Sequence, residues 1–393
     1  MSSAISGLCE SALIGESTRA GFRDEANSLG YFMFSTIVTD DTGSKLAVLE
    51  KVKCLNDINA TTDIIVVSAD AQPAEWTTGI WIQAPTIVAG MVKAAQLAAS
   101  KRIIVMSSAV AFEPADLARL VAELDTRQIR EHTIVTARTE SGFVQIPDLS
   151  AEQVLNSISK TDMWPLVVVA TSRFALSMIG EEDASSATEY LAQALVRSIA
   201  DGDTIRHSTL IDTAISGADL SATSKLSDGA RARILKAAVD AFNIEELFPS
   251  HNWISYSQES AAASYHSIAA LFLRFGDPES AAECLDCSER LEESPRYFAL
   301  QGLIHKQKGE TLGAVASFVS SLQCYEARKV DNGKHYITFK PSNLEVINSR
   351  LVDGLNALNK RDNDSALNYF SEAVFNFDPF YAEHGVLPSG KTR

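Results

Sequence analysis

Short apolar runs alternate with amphipathic stretches throughout the first half of the chain. The runs predict strands at 31–38, 63–68, 102–108, 132–138 and 166–174, with a further candidate at 143–147. The stretches between them predict helices at 45–55, 86–100, 113–125 and 186–202. Near-continuous β-branched runs between helices are typical of strands covered on both faces. We therefore expect an α/β domain with a mostly parallel sheet over 27–215, preceded by a polar arm over 1–26.

The second half of the chain has helical periodicity and a repeated spacing of small and large residues. The pattern first occurs as Ala269, Gly276, Ala281, Leu285 and Ser288, recurs 33 positions later as Gly302, Gly309, Ala314, Phe318 and Ser321, and returns as Gly354, Ala366, Phe370 and Ala373 before Pro379. Small residues let two helices approach, and the large residue fills the groove between them. We expect antiparallel helix pairs over 261–393, preceded by linker helices over 216–260. The alternative is an ordinary helical bundle with coincidental spacing, and 335–339 is the one strand candidate here.

This repeated spacing resembles the tetratricopeptide repeat, whose period is about 34 residues. The clearest copy covers 354–379. The resemblance implies a domain that holds a peptide or a partner protein. His305, Lys306 and Asn356 lie on the first helices of repeats and are candidate partner-binding residues, the alternative being that they belong to solvated helix faces.

Length and charge narrow the class of protein. The chain has 393 residues, more than one hydrophobic core serves, so two domains are expected. Its net charge of −16 argues against binding to nucleic acid or to an anionic membrane. No stretch approaches the ~18 apolar residues of a membrane span, and the first residues lack a secretory signal pattern. A cytoplasmic protein is expected.

The cysteines and histidines predict no metal site. The five cysteines are scattered, as in reduced cytosolic proteins. Cys284 and Cys287 form a C-x-x-C, but no second pair stands at zinc spacing, so a packing role is favoured. No glycine-rich dinucleotide or P-loop motif and no G-x-S-x-G elbow is present. The stretch 40–45 is interpreted as a simple turn rather than a phosphate loop.

Two segments of the first half carry a family resemblance. Residues 93–124 run from an alanine-rich helix through an apolar strand to Glu113, Pro114 and Leu117. Residues 172–202 contain, in order, Arg173, Phe174, Gly180, Glu189 and Gly202. In the pattern and order of its elements, the region of about 31–207 resembles the family 2 glycosyltransferases, which have the GT-A fold, a Rossmann-like α/β fold.

The resemblance implies a domain that binds a nucleotide sugar. Asp70 stands where the family's acidic residues contact the nucleobase, and Ser107 and Ser108 belong to the stretch that corresponds to its metal-binding Asp-x-Asp motif. Glu189 corresponds to the acidic pair that supplies the general base, the alternative being a solvated helix residue. His207 lies near the family's late histidine, with a surface role as the alternative.

The departures from the family pattern decide which function is favoured. Ser107-Ser108-Ala109 replaces the Asp-x-Asp that holds Mg²⁺ or Mn²⁺, and hydroxyls and a methyl group cannot replace carboxylates as ligands for a hard cation. We therefore expect no metal and no other cofactor, with a nucleotide sugar as the one small ligand kept open. The favoured hypothesis is a catalytically degenerate glycosyltransferase-like scaffold or nucleotide-sugar binder, a pseudoenzyme with an interaction domain.

Two alternatives stay open. One is a divergent, metal-independent glycosyltransferase that acts on a protein or polysaccharide acceptor. The other is a non-enzymatic assembly or adaptor protein built on an unrelated α/β domain, which would bind a partner but no nucleotide.

Overall fold

The computed structural model describes residues 34–40, 45–58, 61–108, 150–160, 168–202, 226–289, 294–331 and 341–386. The strands are β1 (Phe34–Thr39), β2 (Thr61–Ser68), β3 (Ile80–Gln83), β4 (Arg102–Ser107) and β5 (Val168–Ser172). The helices up to the middle of the chain are α1 (Lys45–Ile58), α2 (Ile87–Leu97), α3 (Ala151–Lys160), α4 (Arg173–Ser177), α5 (Ala187–Ala200), α6 (Asp228–Ala241) and α7 (Ile244–Leu247). The later helices are α8 (Ser257–Arg274), α9 (Pro278–Glu289), α10 (Pro295–Gln307), α11 (Thr311–Asp331), α12 (Pro341–Asn359), α13 (Asn363–Phe377) and α14 (Phe380–Glu383).

Several sequence predictions lie outside these residues. They are the helix at 113–125, the strands at 132–138, 143–147 and 335–339, and the residues Ala109, Glu113, Pro114, Leu117 and His207.

The chain divides into two compact units. The α/β unit comprises Met1–Gln145, Val167–Met178 and Ile205–Ala218, and the helical unit comprises Ile146–Leu166, Ile179–Thr204 and Asp219–Arg393. Helix α3, which was not predicted, and helix α5 both fall within the predicted α/β domain of 27–215 but belong to the helical unit. The domain boundaries drawn from the sequence stay a prediction.

The α/β unit is built on one sheet with the strand order β3-β2-β1-β4-β5. Strands β1 to β4 are parallel, and β5 runs antiparallel to β4. Every residue of β1 is buried, as a strand covered on both faces requires. The expected combination of a mostly parallel sheet and a helical region is therefore confirmed, although β3 was not predicted.

Helix α2 lies close against β2 because a glycine faces the sheet. A Cβ atom on Gly90 would lie 2.2 Å from Cγ1 of Val67, so a side chain at this position would push the helix away. Thr86 caps the helix by accepting a hydrogen bond from the Ala89 amide over 3.1 Å. The contact between Gly90 and Val67 therefore sets how closely α2 packs against the carboxyl-terminal part of β2.

The described residues of the helical unit form three helical hairpins, α8–α9, α10–α11 and α12–α13. A Cβ on Gly302 would lie 2.9 Å from Cε1 of Phe318, and a Cβ on Gly354 would lie 2.8 Å from Cε1 of Phe370. In each pair the ring occupies the space that the glycine leaves. Gly276 and Gly309 are exposed in the turns, and eight further members of the spacing pattern are buried: Ala269, Ala281, Leu285, Ser288, Ala314, Ser321, Ala366 and Ala373. The expected pairing of small and large residues thus describes how these hairpins pack.

The three hairpins share one turn geometry. The second residue after each first helix has a positive φ, which is 77° at Gly276, 78° at Gly309 and 60° at Arg361. The amide of the following residue then donates a hydrogen bond five residues back, as from Asp277 to Phe272 O over 2.9 Å. This is the Schellman arrangement, which favours glycine at the left-handed position. The third hairpin places an arginine there instead.

Within the described ranges, no helix combines the length and the apolarity that spanning a bilayer requires.

Candidate functional site

A row of polar residues ends the sheet at the carboxyl ends of the parallel strands. Gln83 on β3 pairs with Ser68 on β2. The β1–β2 ladder continues one step beyond β1, because the amide of Asp40 donates to Val67 O over 2.9 Å. The β1–β4 ladder continues in the same way, because the amide of Ser108 donates to Thr39 O over 2.8 Å. The row Gln83–Ser68–Asp40–Ser108, called the polar row below, therefore crosses four strands.

Asp40 is the charged member of the polar row, and it is only 7% exposed. Its Oδ2 accepts a hydrogen bond from the Ser68 hydroxyl over 2.9 Å. The same Ser68 oxygen accepts from the Asp70 amide over 3.0 Å, which ties the loop after β2 to the row. Asp40 Oδ1 is fully buried and has no hydrogen-bond partner among the described residues. One carboxylate oxygen is therefore withdrawn from water without compensation.

The polar row crosses the point in the sheet where the strand order reverses. The chain moves outward from β1 through β2 to β3 on one side, and β4 lies on the other side of β1. In open α/β sheets, ligands bind outside the carboxyl ends of the strands at this topological switch point. Asp40 and Ser108 stand on its two sides. The geometry makes this edge the candidate binding site of the α/β unit.

The three predicted nucleotide-binding residues come to this same edge. Ser108 is buried in the polar row, and Ser107 is the last residue of β4, one position earlier. Asp70 is exposed in the loop after β2, where its carbonyl accepts from Trp81 Nε1 over 3.1 Å. Their role in nucleotide binding stays a prediction.

Asp40 is not among the binding residues predicted from the sequence. The stretch 40–45 was interpreted as a simple turn, and the structure describes Asp40 and Lys45 of it. A signal was available, since an acidic residue directly after a fully buried parallel strand stands at the edge where such sheets bind ligands.

Glu189, the predicted catalytic residue, lies in the helical unit and is 0% exposed. Its carboxylate accepts hydrogen bonds from Arg233 Nε and Nη2 over 2.5 and 2.9 Å. It also accepts from the Ser185 amide and hydroxyl, each over 2.8 Å. The alternative interpretation of Glu189 as a solvated helix residue is wrong, because α5 turns this side chain towards α6.

The hydrogen bonds also set the charge of Glu189. Burial alone would raise the pKa of this carboxyl group, but the hydrogen bonds from Arg233 and Ser185 outweigh it and leave the pKa below its usual value. A general base must take up a proton near neutral pH, which requires a raised pKa for a carboxylate. This arrangement is that of a charge-paired structural carboxylate, and the catalytic assignment remains untested.

The predicted partner-binding residues lie on the first helices of the second and third hairpins. Nδ1 of His305 lies 2.5 Å from Oε2 of Glu310, which joins the end of α10 to the turn after it. Lys306 is half-buried, and burial lowers the pKa of its ammonium group. Asn356 is exposed on α12. Their part in partner binding stays a prediction.

The two cysteines of the C-x-x-C differ in burial, and only Cys284 has a packing role. Cys284 is buried on α9, and burial raises the pKa of its thiol to about 12, so it is protonated at neutral pH. Cys287 is exposed on the same helix. The described part of the chain contains no group of three His, Cys, Asp or Glu side chains arranged to hold a metal ion.

Comparison with known proteins finds only distant similarity. No family model matches the chain, and no curated protein matches it. Among solved structures, S. aureus TarS (1–349) is 12% identical, with a TM-score of 0.38 over 87% of this chain and 91% of that one. The bifunctional IspDF from Campylobacter jejuni is 11% identical, with a TM-score of 0.30 over 70% of this chain and 88% of that one. Both TM-scores are too low to establish a shared fold.

Proposed function

We propose that the α/β unit binds a nucleotide or nucleotide sugar at the polar row without catalysing sugar transfer, and that the helical hairpins hold a protein or peptide partner. The protein is then a glycosyltransferase-like scaffold or nucleotide-sugar sensor. The observation that carries this proposal is the position of Asp40, a buried carboxylate with an uncompensated oxygen at the switch point of the sheet.

The sequence pattern supports the choice of ligand. The order of elements over about 31–207 resembles the family 2 glycosyltransferases, and Asp70, Ser107 and Ser108 correspond to the positions that face a nucleotide sugar there. The described part of this region is a mostly parallel α/β sheet, as a GT-A fold requires. The GT-A assignment itself belongs to the proposal.

Two observations favour a binder over a transferase. The stretch that corresponds to the metal-binding Asp-x-Asp motif carries Ser107, Ser108 and Ala109, whose hydroxyls and methyl group cannot offset the charge that develops on a leaving diphosphate. The carboxylate of Glu189 is held by Arg233 and Ser185, which keeps it ionised and engaged. A metal-independent transferase would need another base and another source of positive charge.

The three hairpins support a partner-binding role for the helical unit. The second and third hairpins have matching Gly–Phe contacts, and all three have matching turns, which are features expected of stacked repeats of the tetratricopeptide type. In such arrays the exposed faces of the first helices hold the partner. The adaptor hypothesis, with an α/β domain that binds no nucleotide, is the competing function.

Isothermal titration of the full chain with UDP, GDP and CMP, with and without Mn²⁺, tests the proposal. We expect one of these nucleotides to bind with an affinity that does not depend on the metal, and Asp40→Asn to weaken that binding. The control is Asp57→Asn, which neutralises an exposed carboxylate near the end of α1. Absence of binding at millimolar nucleotide would leave the adaptor hypothesis.

A second assay separates the binder from the transferase. Incubation of the full chain with the UDP-sugar or GDP-sugar that binds, followed by detection of the released nucleoside diphosphate, measures both hydrolysis and transfer. We expect no release above the level without protein. Release that is lost in Glu189→Gln while folding is retained would establish the divergent transferase.

A further inference from the structure

We infer that Asp40 determines which ligand the polar row accepts, by taking a hydrogen bond on Oδ1 from a hydroxyl or N–H group in the nucleoside part of the ligand. This inference rests on the proposed function. It assigns to Asp40, at the end of β1, a reading role that the sequence resemblance gave to the residues after β2.

The first step concerns the unequal state of the two Asp40 oxygens. Oδ2 accepts from the Ser68 hydroxyl over 2.9 Å, which fixes the orientation of the carboxylate in the plane of the polar row. Oδ1 is buried and has no partner among the described residues. A buried carboxylate oxygen without a hydrogen bond is costly, and a donor that reaches it recovers that cost.

The second step compares Asp40 with the other buried carboxylates. Arg233 donates to both oxygens of Glu189, and Arg296 donates to both oxygens of Asp378 over 2.5 and 3.1 Å. Within the described ranges, no lysine, arginine or histidine forms an ion pair with Asp40. This fold thus compensates its buried carboxylates with arginine elsewhere and leaves Asp40 uncompensated at the edge where ligands bind.

The third step concerns the chemistry of the missing partner. A carboxylate only accepts hydrogen bonds and repels phosphate, so the part of a nucleotide that meets Oδ1 is a hydrogen-bond donor. In a nucleotide the donors are the ribose hydroxyls and the N–H groups of the base. The phosphates must therefore lie away from Asp40. A site that hydrogen-bonds a ligand group through a buried polar atom discriminates strongly against analogues that lack this group.

The fourth step concerns the neighbours of Asp40. Ser68 holds Oδ2 and the Asp70 amide together, so a single hydroxyl links the carboxylate to the loop after β2. The Gln83 side chain donates to Ala69 O over 3.3 Å, which fixes the same loop from the next strand. The Asp40 carboxylate is therefore oriented by a side chain of β2, and the loop beside it is held by a side chain of β3.

The experiment measures the affinity of UDP and of its 2′-deoxy, 3′-deoxy and N3-methyl derivatives by isothermal titration. Where the panel shows that GDP binds instead, the 2′-deoxy, 3′-deoxy and N1-methyl derivatives of GDP are used. Each ligand is tested on the full-length wild-type protein, on Asp40→Asn and on the Asp57→Asn control. We expect one derivative to bind the wild type and Asp57→Asn at least about tenfold more weakly than the parent nucleotide, and this difference to disappear in Asp40→Asn.

A second variant keeps the test independent of the folding of Asp40→Asn. Ser68→Ala removes the hydroxyl that orients the carboxylate but leaves Oδ1 able to accept. We expect it to weaken every ligand while retaining the difference between the parent and the sensitive derivative. Circular dichroism and thermal unfolding check that each variant is folded.

The outcomes separate the two proposals. A wild type that binds no nucleotide overturns the proposed function, and the inference with it. A wild type that binds nucleotide but shows the same losses with the derivatives in Asp40→Asn overturns the inference and leaves the function standing. Binding that requires Mn²⁺ in the wild type, and no longer responds to it in Asp40→Asn, overturns the inference in favour of a cation on Asp40.

Discussion

The two units of this protein differ in how their buried carboxylates are compensated. In the helical unit, Glu189 and Asp378 have fully buried side chains, and each carboxylate is held by a bidentate arginine. In the α/β unit, Asp40 is almost as deeply buried but has one hydroxyl partner, Ser68, and one oxygen without a partner among the described residues. A paired buried carboxylate stabilises the fold, whereas an unpaired one at the edge of the sheet where we propose that a ligand binds indicates a role in binding.

The largest expected effect turns a paired carboxylate into an unpaired one. Arg233→Met leaves Glu189 buried without its cation, and removal of one partner from a buried pair costs about 3–5 kcal/mol. Because the Arg233 side chain is 41% exposed, we expect a loss at the lower end, about 3 kcal/mol of unfolding free energy in urea titration. The control is Lys236→Met, on the same helix as Arg233, which breaks an exposed ion pair with Glu283 on α9. It should cost less than about 1 kcal/mol.

The same pair has a defined pH dependence. The pKa of folded Glu189 lies below the unfolded value of 4.5. The stabilisation is therefore fully present above pH 4.5 and is lost as the pH falls through the folded pKa. Arg233→Met should remove this acid-sensitive component. An unchanged acid limb in the variant would show that the pair does not stabilise the helical unit.

The second effect concerns a buried polar group in the helical unit that is neutral rather than charged. His266 is 3% exposed, its Nε2 has no hydrogen-bond partner among the described residues, and burial together with the charge of Arg296 lowers its pKa to about 4. Between pH 6.5 and about 4 the unfolded chain binds a proton that the folded chain does not. We expect the unfolding free energy to fall by roughly 2–3 kcal/mol across this window.

His266→Leu provides the test of this effect. The variant should show a flatter dependence of unfolding free energy on pH between 6.5 and 4, whatever its absolute stability. If the unfolding free energy of wild type and variant has the same pH dependence, His266 takes up its proton in the folded state as readily as in the unfolded state. Its burial would then not lower its pKa.

The third effect concerns apolar packing within a hairpin of the helical unit. Gly302→Ala places a Cβ 2.9 Å from the Phe318 ring and forces α10 and α11 apart. Overpacking of this kind costs about 1–3 kcal/mol, and we expect about 2 kcal/mol in thermal or urea unfolding. The matched control is Gly229→Ala on α6, where the nearest atom that the Cβ would meet lies 3.8 Å away. That variant should be neutral or slightly stabilising, because alanine favours helix more than glycine does.

The smallest effect has the opposite sign and bears most directly on the comparison. Asp40→Asn removes an uncompensated buried charge, so we expect the ligand-free protein to become more stable by about 1 kcal/mol. Glu189→Gln, the corresponding change in the helical unit, should destabilise it. If both substitutions destabilise by similar amounts, Asp40 is a structural carboxylate and the distinction between the two units fails.

Local patterns in the sequence predicted much of the fold. Strands β1, β2 and β4 were found because their near-continuous β-branched runs can be seen within a few residues. The Gly302–Phe318 and Gly354–Phe370 contacts were anticipated because small and large residues recur at helical spacing. Strand β3 was missed because Ile80–Gln83 is four residues long and only Ile82 is buried, which leaves no periodic signal.

The candidate site was harder to predict because it depends on long-range neighbours. Asp40 and Ser68 meet only through the β1–β2 register, so the acidic residue after β1 looked like part of a turn. Glu189 meets Arg233 across the packing of α5 against α6, 44 positions apart, and a helical wheel of α5 alone cannot reveal that partner. Whether a polar residue is paired is decided by tertiary structure.

The arginine in the third hairpin turn sets an order of local opening. Gly276 and Gly309 adopt the left-handed conformation without a side chain, whereas Arg361 adopts it with φ 60° and carries a steric cost of about 1–2 kcal/mol. This strain is released when α12 and α13 separate at their turn. In hydrogen–deuterium exchange, amides near Arg361 should therefore exchange before those near Gly276 and Gly309, and Arg361→Gly should slow them. We therefore expect the third hairpin to open locally before the other two.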